Sequence, residues 1–186
     1  MNANIVVIVI SVLYPFAVWI GTRQLSPRWV SLFLLAVLLT RILSFKKSKM
    51  MFLAVAGGLI LAAVALFTNA ALPLKLYPVV MNATLFLVFA ASLVYPPTVI
   101  ERIARLKEPE LPSSAVFYTR RVTQVWCVFF IVNGAIAFYT SLYTSDAVWS
   151  LYNGLIAYFL IGLLLAIEYC VRIRFKRRHD ADLSSP

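Results

Sequence analysis

The chain has 186 residues, of which 62% are hydrophobic and 13% charged, and its mean hydropathy is +0.90. A soluble domain carries about 25% charged residues, so this composition excludes an ordinary soluble domain. The formal net charge is +10. Because the basic residues flank long apolar runs, they are typical of membrane topology signals, and nucleic-acid binding is not expected.

The apolar runs predict an all-α, polytopic integral membrane protein, with a single bundle of six transmembrane helices at residues 1–178. The first helix is short and contains Pro15, so five crossings plus a re-entrant first segment is the alternative. The pair Pro96–Pro97 is expected to end the fourth helix, and residues 179–186 are predicted to form a disordered cytoplasmic tail. The approximate helices are 5–20, 29–43, 50–68, 78–99, 122–142 and 148–171.

The longest polar stretch, residues 100–121, is predicted to be a cytoplasmic loop. Glu101 and Arg105 are spaced i, i+4, which suits an ion pair on a helix surface. Ser113 or Ser114 is expected to cap a short amphipathic helix that lies at the membrane interface.

The distribution of lysine and arginine indicates the orientation of the chain. With six crossings, all 17 of these residues except Arg23, Arg28 and Lys75 fall on one side of the membrane. The positive-inside rule places that side, and the C-terminus, in the cytoplasm. An aromatic belt is then predicted at the outer face, formed by Tyr139, Tyr143, Trp149 and Tyr152.

Small residues recur at helical spacing in the third segment. Ala54, Gly58 and Ala62 are four residues apart, which allows two helix backbones to approach closely. Packing inside the bundle is the favoured interpretation, and a homo-oligomer with a second copy of the chain is the alternative. Gly134 and Gly162 are further candidate packing positions.

Three amides and one carboxylate are candidate polar contacts between helices. Asn133 is predicted to lie near the bilayer midplane, with Asn82 and Asn153 closer to the outer face. Glu168 precedes Arg172 by four residues, which favours a local ion pair over a proton relay or substrate carboxylate. A structural clamp is the favoured role for the amides, and a polar substrate path that also includes Tyr158 is the alternative.

Basic residues near the predicted cytoplasmic face are candidates for contact with membrane lipids, in particular anionic head groups, or with other membrane or envelope proteins. The candidates are Arg102, Arg105, Arg120, Arg121, Arg172, Arg174, Lys176, Arg177 and Arg178.

No catalytic, cofactor-binding or metal-binding residues are predicted. The only histidine, His179, lies in the polar tail, which argues against histidine-dependent catalysis inside the bundle. Cys127 and Cys170 are predicted at different depths, so neither a disulfide nor a metal pair is expected. No cofactor is therefore implied.

In the C-terminal half, a polar segment that ends in Leu111–Pro112 precedes an apolar segment with Trp126, Phe129 and Phe130 and with Gly134 in its middle. In this pattern the chain resembles the intracellular septation protein A family of bacterial inner-membrane proteins. In that family, too, a short polar segment ending in Leu-Pro precedes a helix with a Trp-x-x-Phe-Phe pattern and a small residue in its middle. The resemblance implies a multi-pass inner-membrane protein linked to envelope maintenance and division, and it supplies no catalytic residues. The matching positions are Leu111, Pro112, Trp126, Phe129, Phe130 and Gly134.

Three classes of function are compatible with these features. The first is a non-enzymatic membrane scaffold that supports the cell envelope through protein and lipid contacts. The second is a small transporter or lipid-translocating protein, and the third is an intramembrane enzyme acting on lipids. The lack of paired deep charges and of a catalytic set in the sequence favours the scaffold.

Overall fold

The computed structural model describes residues 15, 18–21, 26–32, 34–35 and 49–184, with the backbone alone for 49–55 and 175–184. All regular structure in these ranges is helical. Three helices are long and apolar enough to cross a membrane, namely Leu72–Val94, Ser113–Tyr143 and Asp146–Arg174. The chain is therefore a helical protein of the membrane-embedded type, and six crossings remain a prediction.

The helices from residue 49 onward follow one another with short connections. They are α1 (Lys49–Thr68), α2 (Leu72–Lys75), α3 (Tyr77–Val94), α4 (Val99–Arg105), α5 (Ser113–Tyr143), α6 (Asp146–Leu151), a π-helical turn (Tyr152–Ile156) and α7 (Ala157–Ser184).

The predicted helices 5–20 and 29–43 lie mostly outside the described residues. Helical backbone is described at 18–21 and 27–32. The second of these stretches begins at Pro27, ahead of the predicted boundary at Trp29. Proline suits the first position of a helix because its missing N–H is not needed there.

Helix α3 ends at Val94, before the predicted boundary at residue 99. Tyr95 has φ −117° and ψ 81°, outside the helical region. The residue before a proline is pushed out of the helical region, and two successive prolines provide no N–H to continue the ladder. Pro96–Pro97 therefore ends the helix, as the sequence predicts, but earlier than expected.

The short interfacial helix predicted after Ser113 is not a separate element. Residues 113–118 form the first turns of α5, a continuous helix of 31 residues. Its length is about 46 Å, so roughly a third of it extends beyond a 30 Å hydrocarbon core. Pro112 is the N-cap residue, and neither Ser113 nor Ser114 caps the helix.

The C-terminal residues also differ from the prediction. Residues 179–184, predicted to be disordered, continue α7 as helical backbone to Ser184.

The hairpin turn between α5 and α6 contains Thr144 and Ser145. The Ser145 hydroxyl accepts a hydrogen bond from the backbone N–H of Val148 at 3.4 Å and so caps α6.

The described helices have two opposite ends, which we call the hairpin end and the basic end. The hairpin end contains the α1–α2 connection and the α5–α6 turn. At this end Asn69 has φ 51° just after α1, a left-handed conformation that asparagine tolerates, and its Oδ1 accepts a hydrogen bond from the Arg28 backbone N–H at 3.3 Å. The basic end contains α4, the start of α5 and residues 168–174 of α7.

Small residues bring α1 close to α3. Ala62 and Gly58 are buried, as internal packing requires, whereas the side chain of Ala54 is outside the described residues. The tightest contact involves Gly57, which lies beside the predicted stripe of small residues rather than in it. A Cβ atom at Gly57 would lie 2.6 Å from Cγ1 of Val80 on α3.

Gly162, a predicted packing position, makes no comparable contact. It is exposed on α7, and a Cβ built there meets no atom of the described chain within 4 Å. Among the described residues, its lack of a side chain is therefore not used for close packing.

The two glycines allow a matched test of helix packing. Gly57→Ala should lower the free energy of unfolding by about 1–3 kcal/mol, because the β-branched Val80 cannot easily move away. Gly162→Ala should be neutral or should stabilise by about 0.5–1 kcal/mol, because alanine is the better helix former and the site is open. Thermal unfolding in mild detergent checks both variants, and equal effects would contradict the packing of α1 on α3.

Candidate functional site: a buried polar network and a basic end

Two amides from different helices bind each other inside the bundle. Asn133 Nδ2 on α5 donates to Asn82 Oδ1 on α3 at 3.0 Å, and both residues are buried. Asn82 Nδ2 donates to the Pro78 carbonyl at 2.8 Å. The Tyr152 hydroxyl donates to Asn133 Oδ1 at 2.9 Å. We call these bonded side chains of Asn82, Asn133 and Tyr152 the amide network; it joins three segments of the chain.

The absence of a side chain at Gly134 makes this approach possible. A Cβ atom at Gly134 would lie 3.1 Å from Cβ of Asn82, which is tighter than an ordinary contact. The sequence analysis placed Asn82 and Asn133 at different depths, whereas the direct hydrogen bond puts them at the same level. Gly134 therefore lies directly against Asn82 of α3.

The π-helical turn orients two successive residues toward α5. The Ala157 backbone N–H donates to the Tyr152 carbonyl, five residues back, so the turn contains one extra residue. Asn153 Nδ2 donates to Thr140 Oγ1 at 3.3 Å and to the Trp149 carbonyl at 2.9 Å. Successive residues of a regular α-helix lie about 100° apart, and the wider turn lets Tyr152 and Asn153 both bind α5.

The buried face of α5 shows a helical period of polar, small and aromatic residues. Ala137 is fully buried between Asn133 and Thr140, where the backbones are close. This period of three and four residues is also visible in the sequence. The buried residues are Thr119, Thr123, Trp126, Cys127, Phe130, Asn133, Ala137, Thr140 and Ser141.

The aromatic residues of the Trp-x-x-Phe-Phe pattern form a cluster with α3. The Trp126 and Phe130 ring centroids are 5.6 Å apart, and Phe130 meets Phe89 edge to face at 5.1 Å. Phe129 contacts Trp126 edge to face at 5.7 Å. Cys127 is buried beside them as a free thiol. These residues act in packing, between the amide network and the basic end.

At the hairpin end, the backbone carbonyl of Lys75 accepts two hydrogen bonds. Ser141 Oγ donates to it at 2.9 Å and Trp149 Nε1 at 3.1 Å. Lys75 Nζ forms an ion pair with Asp146 at 3.1 Å. We call these contacts of Lys75 with Ser141, Trp149 and Asp146 the hairpin clamp. It was not predicted, because Lys75 lies more than 60 positions before its partners in the chain.

The predicted outer aromatic belt is wrong for two of its four members. Trp149 is fully buried in the hairpin clamp, and Tyr152 is half-buried in the amide network. Tyr139 and Tyr143 are exposed, with ring centroids 5.3 Å apart. Hydropathy alone does not distinguish an interfacial tryptophan from one that faces the bundle.

At the basic end, α4 begins with a capping box. The backbone N–H of Glu101 donates to Thr98 Oγ1 at 3.3 Å, and the Thr98 N–H donates to Glu101 Oε2 at 3.4 Å. Arg105 donates to Glu101 Oε1 through Nε at 2.9 Å and through Nη2 at 2.7 Å. Glu101 is buried, and its carboxylate holds the Arg105 guanidinium in an ion pair.

Glu168 forms a second ion pair of the same spacing. Arg172 Nη2 binds its Oε2 at 2.6 Å and Arg172 Nε binds its Oε1 at 2.9 Å. The Tyr118 hydroxyl donates toward the Glu168 carboxylate at 3.4 Å, which joins α5 to α7. Glu168 is thus held in the local ion pair that its spacing with Arg172 suggests, with an unpredicted tyrosine partner.

Other cations at the basic end have no such partner. No carboxylate of the described chain forms an ion pair with Arg102, Arg120, Arg121 or Arg174. Arg102 Nε donates to the Pro97 carbonyl at 2.9 Å, and the Arg121 guanidinium lies 5.2 Å from the centre of the Phe117 ring. The side chains of the tail candidates Lys176, Arg177 and Arg178 are outside the described residues.

Between the two ends, the buried polar groups of the described spans are neutral amides and hydroxyls, which hold helices together but transfer protons poorly at neutral pH. Within the described residues, no cluster of three histidine, cysteine, aspartate or glutamate side chains has metal-binding geometry. What this arrangement can do is fix the helices relative to each other and present cations at one end.

Comparison of the chain with protein-family models, with curated proteins and with solved structures gives no match.

Proposed function

We propose that this protein is a non-enzymatic scaffold of the bacterial inner membrane that supports envelope integrity, assembly or division through protein and lipid contacts. The observation that carries the proposal is a contrast between two regions. The polar side chains inside the spans bind each other, whereas the segment from Arg102 to Pro112 at the basic end presents most of its side chains to solvent. Internal hydrogen bonds support a structural role for the bundle, and the exposed segment supports a docking role.

The proposed topology has six crossings with the basic end and the C-terminus in the cytoplasm. Charge distribution supports it. Arg28 and Lys75 are at the hairpin end, whereas Arg102, Arg120 and Arg172 are at the opposite end, as the positive-inside rule requires.

The docking segment, residues 102–112, combines charge with exposed apolar side chains. Ile103 is 56% exposed and Leu106 is 84% exposed. Arg102 and Lys107 are exposed beside them. Apolar residues surrounded by charges are typical of a protein contact site. The capping box and the Glu101–Arg105 pair hold α4 in shape, so a partner meets a preformed surface.

The resemblance of Leu111–Pro112 and the Trp126–Phe130 pattern to the septation protein A family points to the same role by analogy. These residues pack the bundle and perform no chemistry, so the analogy concerns the scaffold rather than an activity.

The test is a double charge reversal, Arg102→Glu with Lys107→Glu, compared with Arg28→Glu at the hairpin end. We expect the double variant to lose co-purifying envelope proteins and to fail to complement a deletion strain, at unchanged abundance and thermal stability. The Arg28→Glu control should retain both the co-purifying proteins and the complementation. A C-terminal reporter that is active only in the cytoplasm checks the proposed side of the C-terminus.

The alternative, a small transporter, has one observation in its favour. The π-helical turn lies within the polar contacts of α5, and such turns are frequent at functional sites. A transporter predicts that Glu168→Gln abolishes function in a stable, abundant protein while the double charge reversal has no effect. That pair of results would refute the scaffold.

A further inference from the structure

One outward face of α5 changes character along its length. At the basic end it bears Phe117, Arg120, Arg121 and Gln124, all exposed. Further along α5, toward its C-terminal end, the same face bears branched apolar side chains that are at least half exposed. These residues are spaced three and four apart, so they share one face of the helix. We call this face the α5 strip; it comprises Phe117, Arg120, Arg121, Gln124, Val125, Val128, Ile131 and Val132.

The cations of the α5 strip are not neutralised by the described residues. Arg105 and Arg172 each bind a carboxylate within 2.7 Å, whereas Arg120 and Arg121 have no carboxylate within 4.0 Å there. The structure thus divides the candidate lipid contacts into paired and unpaired arginines. Two adjacent unpaired guanidinium groups favour an anionic ligand, since arginine binds phosphate through several N–H donors.

Arg121 is held at the boundary between the polar and apolar parts of the strip. Its guanidinium lies 5.2 Å from the centre of the Phe117 ring, one turn closer to the start of α5. Phe117 is 61% exposed, so the ring is accessible from the same side as the guanidinium. A charged head group beside this pair would meet both a cation and an aromatic surface.

From Arg121 to its last apolar residue, the strip has the length of one leaflet. Val132 lies eleven positions after Arg121, which corresponds to about 16 Å of helix, close to half of a 30 Å hydrocarbon core. An occupant that matches the strip has one anionic end and a long apolar body. A soluble protein partner does not combine one anionic end with a long apolar chain. In a zwitterionic lipid, a nearby ammonium group offsets the negative charge of the phosphate.

We propose that the α5 strip binds one anionic phospholipid, with its phosphate on Arg120 and Arg121 and an acyl chain along Val125, Val128, Ile131 and Val132. The inference rests on the membrane insertion in the proposed function and names the lipid contact of that scaffold. It is independent of the protein docking segment, so either proposal can fail alone.

The test uses purified full-length protein in mild detergent, with lipid binding followed by native mass spectrometry and by thermal stabilisation. Phosphatidylglycerol should bind the wild-type protein more tightly than phosphatidylcholine. Arg120→Gln with Arg121→Gln should weaken phosphatidylglycerol binding about 30-fold, since each cation contributes about 1 kcal/mol. Equal affinity of the wild type for both lipids would overturn the proposal, even if the double variant failed to fold.

The matched control is Arg102→Gln with Lys107→Gln, which removes the same charge from the basic end but leaves the strip intact. It should change phosphatidylglycerol affinity less than threefold. An equal loss in both double variants would assign the effect to overall charge and refute the site. A glycerol phosphate arm tests the source of the phosphate: if it displaces the lipid at equal concentration, the acyl chain makes no contact and the proposal is wrong.

Discussion

Trp149→Ala should lower the free energy of unfolding by about 3–5 kcal/mol, the range for removing a buried tryptophan from a packed core. Trp149 has 0% of its surface exposed and packs with Ala65 and Leu74 at the hairpin end. Its Nε1 donates to the Lys75 carbonyl at 3.1 Å. The substitution therefore leaves a cavity and removes one donor of the hairpin clamp.

The matched control is Trp29→Ala, because Trp29 is 64% exposed near the same end. It should change thermal stability in detergent far less. Trp149→Phe should fall between the two, since it keeps a ring but loses the indole N–H. If the two alanine variants unfolded at the same temperature, Trp149 would belong to the interfacial belt that hydropathy predicts.

Asn133→Leu should lower the free energy of unfolding by about 2–3 kcal/mol. It removes two hydrogen bonds between segments, to Asn82 and from Tyr152, each contributing about 0.6–2 kcal/mol in a membrane protein. It also leaves the Asn82 Oδ1 atom without its donor inside the bundle. Thermal unfolding followed by circular dichroism measures the loss.

A smaller change tests the same network. Tyr152→Phe removes the single hydroxyl that donates to Asn133 and should destabilise by about 1 kcal/mol. Tyr139→Phe removes an exposed hydroxyl on α5 and serves as the control, with little expected effect. Stability unchanged by both Asn133→Leu and Tyr152→Phe would show that the amide network does not hold the helices.

Local features of this protein were predictable from its sequence. The long apolar runs indicate helices of membrane-spanning length, because each residue adds a fixed rise and the lipid interior requires every backbone hydrogen bond to be internal. Pro96–Pro97 ends α3 through its own covalent structure. The Glu101–Arg105 and Glu168–Arg172 pairs follow from helical spacing, which brings residues four positions apart together.

Contacts between distant residues were decided by the tertiary structure. Hydropathy does not reveal that Asn82 meets Asn133, that Trp149 is buried, or that Gly57 is a contact position while Gly162 is open. In a soluble protein the apolar face of a helix marks the core, whereas here lipid is as apolar as the bundle interior and hydrophobicity is similar on all faces. The sequence by itself determined where helices form and break. The tertiary structure decided which faces meet, because shape and hydrogen bonding, rather than hydrophobicity, distinguish a neighbouring helix from lipid.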